Sequence, residues 1–313
     1  MSKIIYAPTL RLDIEKIKKV APDYQVIVKP DTVDLRKVEI IIDMGEVSNQ
    51  ILQLSDNKLK WIQSLSAGVN YFDLPAIAAQ NIYLTNTRGM HSVTISEHVI
   101  LSIMFYNHQF TAAQSLQRSK KWDTKLFAPK TLEGERVLIF GTGAIGSELA
   151  RQLNNHGAIP IGVNTAGTPV THFTKTIPIK NYQEVLPTVD TVVNILPLTK
   201  ATHHFYDLNF FRQLKVGTKF INVGRGASVI TEDLIQALDE GIISFAALDV
   251  FEEEPLPVAS SLWERANVQI TPHMAGNLPN FHQRVLDYFL PNLAHYLSAG
   301  APKFNRVDLK KGY

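Results

Sequence analysis

Apolar runs of strand length recur along the chain, separated by stretches with helical or loop character. "KIIYA" (Lys3–Ala7), "QVIV" (Gln25–Val28), "EIIIDM" (Glu39–Met44) and "WIQSL" (Trp61–Leu65) form an early series. A second runs "RVLIFG" (Arg136–Gly141), "IPIGV" (Ile159–Val163), "TVVNIL" (Thr191–Leu196), "TKFINV" (Thr218–Val223), "SFAALDV" (Ser244–Val250) and "VQITP" (Val268–Pro272). This alternation predicts α/β units. The second-series strands are apolar on both faces, which calls for a parallel sheet covered by helices on each side, a doubly wound domain. Between the series, "SVTISEHVILSIMFYNHQFTAAQSL" (Ser92–Leu116) repeats its apolar residues at helical spacing. It predicts one long helix leaving the first domain, with Ser92 or Thr94 as its cap. "NFHQRVLDYFLPNLAHYLSAG" (Asn280–Gly300) predicts a further helix, broken or kinked at Pro291, that returns to the first domain. The first domain is then discontinuous, residues 1–93 with 280–313, around a second domain of residues 94–279.

Composition narrows the function classes. The 313 residues are 45% hydrophobic and 19% charged, as in a globular chain of one large or two ordinary domains. No apolar run approaches the roughly 20 residues a membrane helix needs. The opening "MSKIIYAPTLRLDIEK" places acids where a signal peptide has its apolar centre, so a cytoplasmic protein is expected. With no cysteine, disulfides, thiolate nucleophiles and most structural zinc sites are excluded. The net charge of +2 is scattered, with "KIKK" (Lys16–Lys19) and "KK" (Lys310–Lys311) as the basic clusters, which argues against nucleic acid as a partner.

The sharpest local motif is "GTGAIG", with Gly141, Thr142, Gly143, Ala144, Ile145 and Gly146 set between a strand and an amphipathic stretch. In that setting the first glycine makes a tight turn and the second lets a pyrophosphate approach the backbone. The third lets helix and strand pack closely, with the helix N-terminus facing the phosphates. A Rossmann dinucleotide site is the reading. About 20 residues on, such a site usually carries an acid for the ribose 2′-hydroxyl. Here the position reads "GVNTAG", with the uncharged Asn164 and Thr165. Nothing repels a 2′-phosphate and no adjacent arginine clamps one, so NAD and NADP both stand. Lys175 reads as a solvated surface lysine.

"VVNILPLTKATHHFYDLNFFRQLKVGTKFINVGRGASVITEDLIQAL" (Val192–Leu238), then "ALDVFEEEPLP", then "ITPHMAG" resemble the D-isomer-specific 2-hydroxyacid dehydrogenase family. The first half joins through "SLSAGVN" (Ser64–Asn70), similar to the family's substrate loop, and "TNTRGMHSVTISEH" (Thr85–His98), similar to its crossing segment, so the resemblance covers essentially the full chain. The length, "SSLWERANVQITPH" and the closing "VDLKKGY" are most similar to the glyoxylate and hydroxypyruvate reductase branch. The resemblance implies two doubly wound parallel-sheet domains, a Rossmann cofactor domain inserted in a discontinuous flavodoxin-like substrate domain. It implies an NAD or NADP cofactor, a small 2-oxo or 2-hydroxy acid as substrate, and a homodimer formed through the cofactor domain, with the Ile95–Phe110 helix for burial.

The motif places an essential glutamate before the first proline of "EPLP", here Glu254, leaving Glu252 and Glu253 as spectators. Reduction of a 2-oxo acid needs a proton donor for the carbonyl oxygen, a task suited to histidine, and His273 at the end of the last strand is the candidate. A carboxylate beside it favours the imidazolium form and orients the ring. Arg225, in "INVGRGA", is assigned the substrate carboxylate, to which a guanidinium is matched. All three follow strands at the edge where open α/β sheets bind ligands. By resemblance Asp249 contacts the nicotinamide carboxamide, against the alternative of an ordinary strand-terminal aspartate. Leu196 and Pro197 lie along the adenosine, against that of an apolar loop packing on a helix, and Val223 joins the cofactor contacts. Ala67, Gly68 and Val69 form the substrate loop, where backbone N–H groups of Gly68 and Val69 would bind the substrate carboxylate, with a plain turn as the alternative.

The other histidines, His203 and His204 included, make no metal-binding spacing, and no metal is implied. Neither a hydrolase G-x-S-x-G elbow nor a phosphate-binding G-x-x-x-x-G-K-[ST] loop is present. Rival readings are a D-3-phosphoglycerate dehydrogenase, for whose substrate phosphate Arg88 is the first-domain cation, a D-lactate dehydrogenase, and a non-enzymatic NAD(H)-sensing co-repressor-like protein.

Overall fold

The computed structural model describes residues 3–8, 12–28 and 33–312; Tyr313 of the closing segment lies outside them. In chain order the elements are β1 (Lys3–Tyr6), α1 (Ile14–Val20), β2 (Tyr24–Ile27), β3 (Val38–Asp43), α2 (Glu46–Leu52), β4 (Trp61–Ser64), α3 (Leu74–Ala79) and β5 (Tyr83–Thr85). There follow α4 (Ser92–Asn107), α5 (Phe110–Arg118), β6 (Arg136–Phe140), α6 (Ala144–Asn155), β7 (Ile159–Asn164), β8 (Lys175–Pro178), β9 (Thr191–Asn194) and α7 (Leu208–Arg212). Then come β10 (Thr218–Asn222), α8 (Thr231–Asp239), β11 (Ile243–Leu248), β12 (Val268–Ile270) and α9 (Phe281–Ala299). Contacts divide the chain into one unit of residues 1–91 with 278–313 and another of residues 92–277.

The first unit holds a parallel sheet in the order β2-β1-β3-β4-β5, the flavodoxin-like order. Its strands feed two cores: Ile40, Ile42 and Trp61 face a cluster containing Val285, Phe289 and Leu293 of α9, while Ile41 and Ile62 face a second with Ile77 of α3. Trp61 stacks on Phe289 at 5.1 Å between ring centroids, and its indole N–H donates to Thr85 Oγ1 at 2.8 Å. Each buried side chain of this size contributes about 1.5–3 kcal/mol, which explains why α9 continues across Pro291 rather than breaking there. The proline removes one helical hydrogen bond; the apolar face on either side of it holds the helix down.

The second unit is a parallel sheet in the order β12-β11-β10-β9-β6-β7-β8, the Rossmann arrangement with a seventh strand. Leu138 and Phe140 join a core beneath α7 and α8, whereas Val137 and Ile139 join another beneath α4 and α6, so both faces are covered. The fold class read from the sequence is the one observed.

Several local expectations differ. The helix predicted over Ser92–Leu116 is two helices, α4 and α5, separated at Gln109, whose backbone is left-handed (φ 57°). α4 buries Ile95, Val99, Ile100 and Ile103, whereas α5 buries nothing, so no packing force keeps the two collinear. Ser92 is the first residue of α4 rather than its cap, and its hydroxyl is buried with no hydrogen-bond partner. Strands β5 and β8 have no counterpart in the predicted series; β8 is an edge strand opening on an exposed lysine and ending in proline. Among the described residues no helix is long and apolar enough to cross a membrane.

Candidate active site

The carboxyl edge of the second unit's sheet collects the motif residues. Gly141 turns the chain out of β6 with φ 106°, and Gly143 caps α6. A Cβ on Gly146 would stand 2.0 Å from the Gly141 carbonyl oxygen, so helix and strand approach as closely as only glycine permits. The Cβ position of Gly143 has no heavy atom within 4 Å, leaving space in front of the α6 N-terminus, where unpaired amides and the helix dipole favour an anion. Thr142 is tied on both sides: its carbonyl accepts the Ser147 hydroxyl at 3.1 Å and its hydroxyl accepts Asn164 Nδ2 at 3.1 Å. Ala144 and Ile145 form the first turn of α6. These residues fit a dinucleotide pyrophosphate.

Asn164 closes β7, where an acid would face the ribose. Its Nδ2 also reaches Thr168 O at 3.0 Å and its Oδ1 accepts the Gly167 N–H at 2.6 Å, so the side chain braces the turn beside the glycine loop. Thr165 is exposed on that turn.

Two asparagines at strand ends build the next part of the edge. Asn194 Nδ2, at the end of β9, donates to Asn222 Oδ1 at 2.9 Å and Ser228 Oγ at 2.8 Å. Asn194 Oδ1 accepts the Leu196 N–H at 3.0 Å and the Tyr206 hydroxyl at 3.1 Å. Asn222 Nδ2, at the end of β10, donates to Arg225 O at 3.2 Å, which also accepts the Ser228 hydroxyl at 2.6 Å. This buried network holds the turn that presents Arg225, whose guanidinium donates to Gly224 O at 2.7 Å. Val223 and Leu196 are buried and Pro197 is exposed on the loop after β9.

Arg225 and Glu254 are linked through backbone. A Cβ on Gly226 would overlap the Phe251 backbone, 1.8 Å from its carbonyl carbon, so the two turns are in van der Waals contact. The Phe251 N–H donates to Glu254 Oε1 at 3.0 Å, and Glu254 Oε2 lies 2.8 Å from His273 Nδ1. The ring is half exposed, leaving Nε2 as the atom available to a ligand.

His273 follows β12 and takes a left-handed backbone (φ 51°), unusual for a residue with a side chain. Asp249 maintains it. The Asp249 carbonyl accepts the His273 N–H at 2.8 Å, Oδ1 accepts Thr271 Oγ1 at 2.6 Å and the Met274 N–H at 2.9 Å, and Oδ2 accepts the Ala275 N–H at 3.0 Å. Behind Thr271 stands His98 of α4, its Nε2 3.3 Å from the hydroxyl. Burial pushes the His98 pKa below the ordinary histidine value, against the opposing pull of the Asp249 carboxylate.

In the first unit, Ala67, Gly68 and Val69 follow β4. Asn86 Nδ2 holds Ala67 O at 2.9 Å, Val69 is buried, and the Gly68 N–H donates to Ser66 Oγ at 3.2 Å. Gly68 therefore has an internal acceptor, and a bound carboxylate would share its N–H with that hydroxyl or take its place.

A profile described as "D-isomer specific 2-hydroxyacid dehydrogenase, NAD binding domain" matches residues 100–275. The chain belongs to the D-isomer specific 2-hydroxyacid dehydrogenase family. It is 30% identical over 270 residues to a glyoxylate reductase of Thermofilum pendens, covering 82% of this chain and 77% of that protein. A crystal structure of phosphoglycerate dehydrogenase from Lactobacillus plantarum shares 35% identity, covers 98% of this chain and 100% of its own, and superposes with a TM-score of 0.60. An NADPH-dependent glyoxylate/hydroxypyruvate reductase of Sinorhizobium meliloti, solved with NADP and sulfate, shares 26% identity over 100% of both chains with a TM-score of 0.84. The chain spans 40% of the length of a chloroplastic D-3-phosphoglycerate dehydrogenase of Arabidopsis thaliana that it also matches. This 2-hydroxyacid dehydrogenase is thus an NAD(P)-dependent oxidoreductase of small 2-oxo or 2-hydroxy acids.

For this dehydrogenase the motifs pointed to Arg225, Glu254 and His273, and passed over the groups that hold them: Asn194, Asn222, Ser228, Thr271 and His98. One signal was available. Asn194 and Asn222 close the short apolar runs "VVN" and "FIN" of buried strands, and a buried amide persists there only when its hydrogen bonds are met. Glu252, read as a spectator, is engaged by His204 and by the Thr231 N–H.

Proposed function

We propose that this enzyme reduces a small 2-oxo acid of the glyoxylate or hydroxypyruvate type to the D-2-hydroxy acid, with His273 as proton donor. The observation that carries the reading is the 2.8 Å pairing of His273 Nδ1, beyond β12, with Glu254, beyond β11, the strand next to the β10 end that leads to Arg225. The cofactor's chemistry, once NAD(P)H is bound, would be donation of hydride to the carbonyl carbon. Arg225 binds the substrate carboxylate and orients the carbonyl. With Nδ1–H donated to Glu254, which orients the ring, the imidazolium delivers its Nε2 proton to the carbonyl oxygen as the alkoxide forms. Gly141, Thr142, Gly143, Ala144, Ile145 and Gly146 would hold the pyrophosphate, Asn164 and Thr165 the adenosine ribose, and Leu196, Pro197 and Val223 the flank of the cofactor. Asp249 has three of its lone-pair sites committed to the His273 loop; the contact proposed for the nicotinamide carboxamide falls to the remaining one. Ala67, Gly68 and Val69 would contact the substrate.

The test is oxidation of NADH and NADPH against glyoxylate, hydroxypyruvate, pyruvate, phenylpyruvate and phosphohydroxypyruvate. Replacing His273 with Gln is expected to lower kcat by about 10²–10⁴-fold with cofactor affinity unchanged; undiminished turnover sinks the assignment. Phosphohydroxypyruvate as the best substrate would establish instead the phosphoglycerate dehydrogenase reading, which the 35% identity to the Lactobacillus plantarum enzyme favours. Arg88, the first-domain cation that reading would use, is exposed beyond β5. A homodimer formed through the second unit is proposed with it, supported by exposed Leu101, Phe110, Trp122 and Leu126.

A further inference from the structure

Glu252 joins three segments of the second unit. Its Oε1 lies 2.9 Å from His204 Nε2, and its Oε2 accepts the Thr231 N–H at 2.7 Å. Thr231 opens α8, and the residue before it, Ile230, has no side-chain acceptor, so Glu252 supplies from another loop the carboxylate a helix N-terminus favours. His204 belongs to the loop leaving β9. Its N–H donates to Ala227 O at 2.9 Å, its backbone is left-handed (φ 53°), and its ring lies 3.9 Å from that of His203. Glu252 sits between Phe251, whose N–H holds Glu254 Oε1, and Glu254 itself, whose Oε2 holds His273. A shift of residue 252 therefore reaches the carboxylate on His273 through two peptide units.

We propose that His204 and Glu252 are positioning residues for the Glu254–His273 pair, strapping the loop after β11 to the loop after β9 and to the start of α8. The proposal rests on the catalytic reading of Glu254 and His273 given above. The strap carries an ionic attraction only while His204 is protonated; the titratable side chains it meets are Glu252 and His203. With side chains 41% and 32% exposed, the pair adds little to global stability, so its loss is expected in the reaction rate rather than in the melting temperature.

Two variants test it. His204→Asn removes Nε2 but keeps a residue that tolerates the left-handed backbone. Glu252→Gln keeps an acceptor for Thr231 and removes the charge. Each is expected to retain the Tm and the NAD(P)H dissociation constant of the parent, to lower kcat about fivefold through misplacement of Glu254, and to move the alkaline limb of the kcat–pH profile toward lower pH. Glu254→Gln should move that limb further, and adding His204→Asn to it should cost nothing more, because the strap acts through Glu254. Unchanged kcat and pH profile in both strap variants, with a clear effect of Glu254→Gln, overturns the strap alone. A lower Tm with unchanged kcat and pH profile overturns it equally, leaving a structural pair. If Glu254→Gln itself leaves the profile in place, the underlying catalytic reading fails.

Discussion

A single methyl group is a large perturbation where two backbones touch. Gly226 abuts the Phe251 carbonyl so closely that Gly226→Ala must displace either the Arg225 turn or the loop carrying Glu254. Overpacking of this kind costs about 1–3 kcal/mol, so the variant should show a lowered urea midpoint and a larger fall in kcat than in cofactor affinity. His98 offers a second test at this scale. Its pKa is lowered by burial, so the folded protein keeps the ring neutral while the unfolded chain takes up a proton near pH 6.5. The folded state therefore loses stability as pH falls through that ordinary value and down to the depressed one. His98→Asn should flatten this acid decline, measured as Tm between pH 7 and 5; an equally steep decline would show that other groups govern it.

At the scale of elements, the two edges of the seven-stranded sheet do different work. The carboxyl edge carries the candidate catalytic turns; the amino edge carries a buried ionic cluster. There Lys219, the second residue of β10, pairs with Glu135 at 3.1 Å and donates to Asn107 Oδ1 at 3.1 Å, while Asn107 Nδ2 donates to Glu135 at 2.9 Å. The cluster pins the end of α4 to the strands, and both charged side chains are almost wholly buried. Lys219→Met alone strands a carboxylate and should destabilise by about 3–5 kcal/mol. Lys219→Met with Glu135→Leu should recover most of that loss. Chemical denaturation reads the difference, and the KM for the 2-oxo acid should stay within twofold in both.

For the whole molecule, α5 and the segment after it bury little of their apolar surface within the chain. Trp122 is 94% exposed, and Leu101 of α4 is 60% exposed; uncovered apolar surface of this kind supports the proposed partner. The proposed homodimer would use them. Sedimentation velocity should report twice the mass of the chain, falling to a single chain for Leu101→Asp with Trp122→Ala; a monomer in the parent protein refutes the proposal.

The chain by itself determined the features that depend on neighbours in sequence. Strands apolar on both faces, such as "RVLIF" and "TVVN", announced two-sided parallel sheets, because only a covered sheet can accept them. The spacing of Gly141, Gly143 and Gly146 announced a tight turn from strand into closely packed helix for the same local reason. Even locally the signal weakened where packing decides: the pause at Gln109, the edge strand Lys175–Pro178 and the intact helix through Pro291 all follow from which faces find a core. Only the tertiary structure decided how the candidate catalytic groups are held. Asp249 meets the amides of Met274 and Ala275, Asn194 meets Ser228, and Glu252 meets His204 because parallel strands bring turns distant in sequence to one edge. A hydrogen bond between such turns is set by distances of a few tenths of an ångström, and residue type and spacing along the chain carry no record of those.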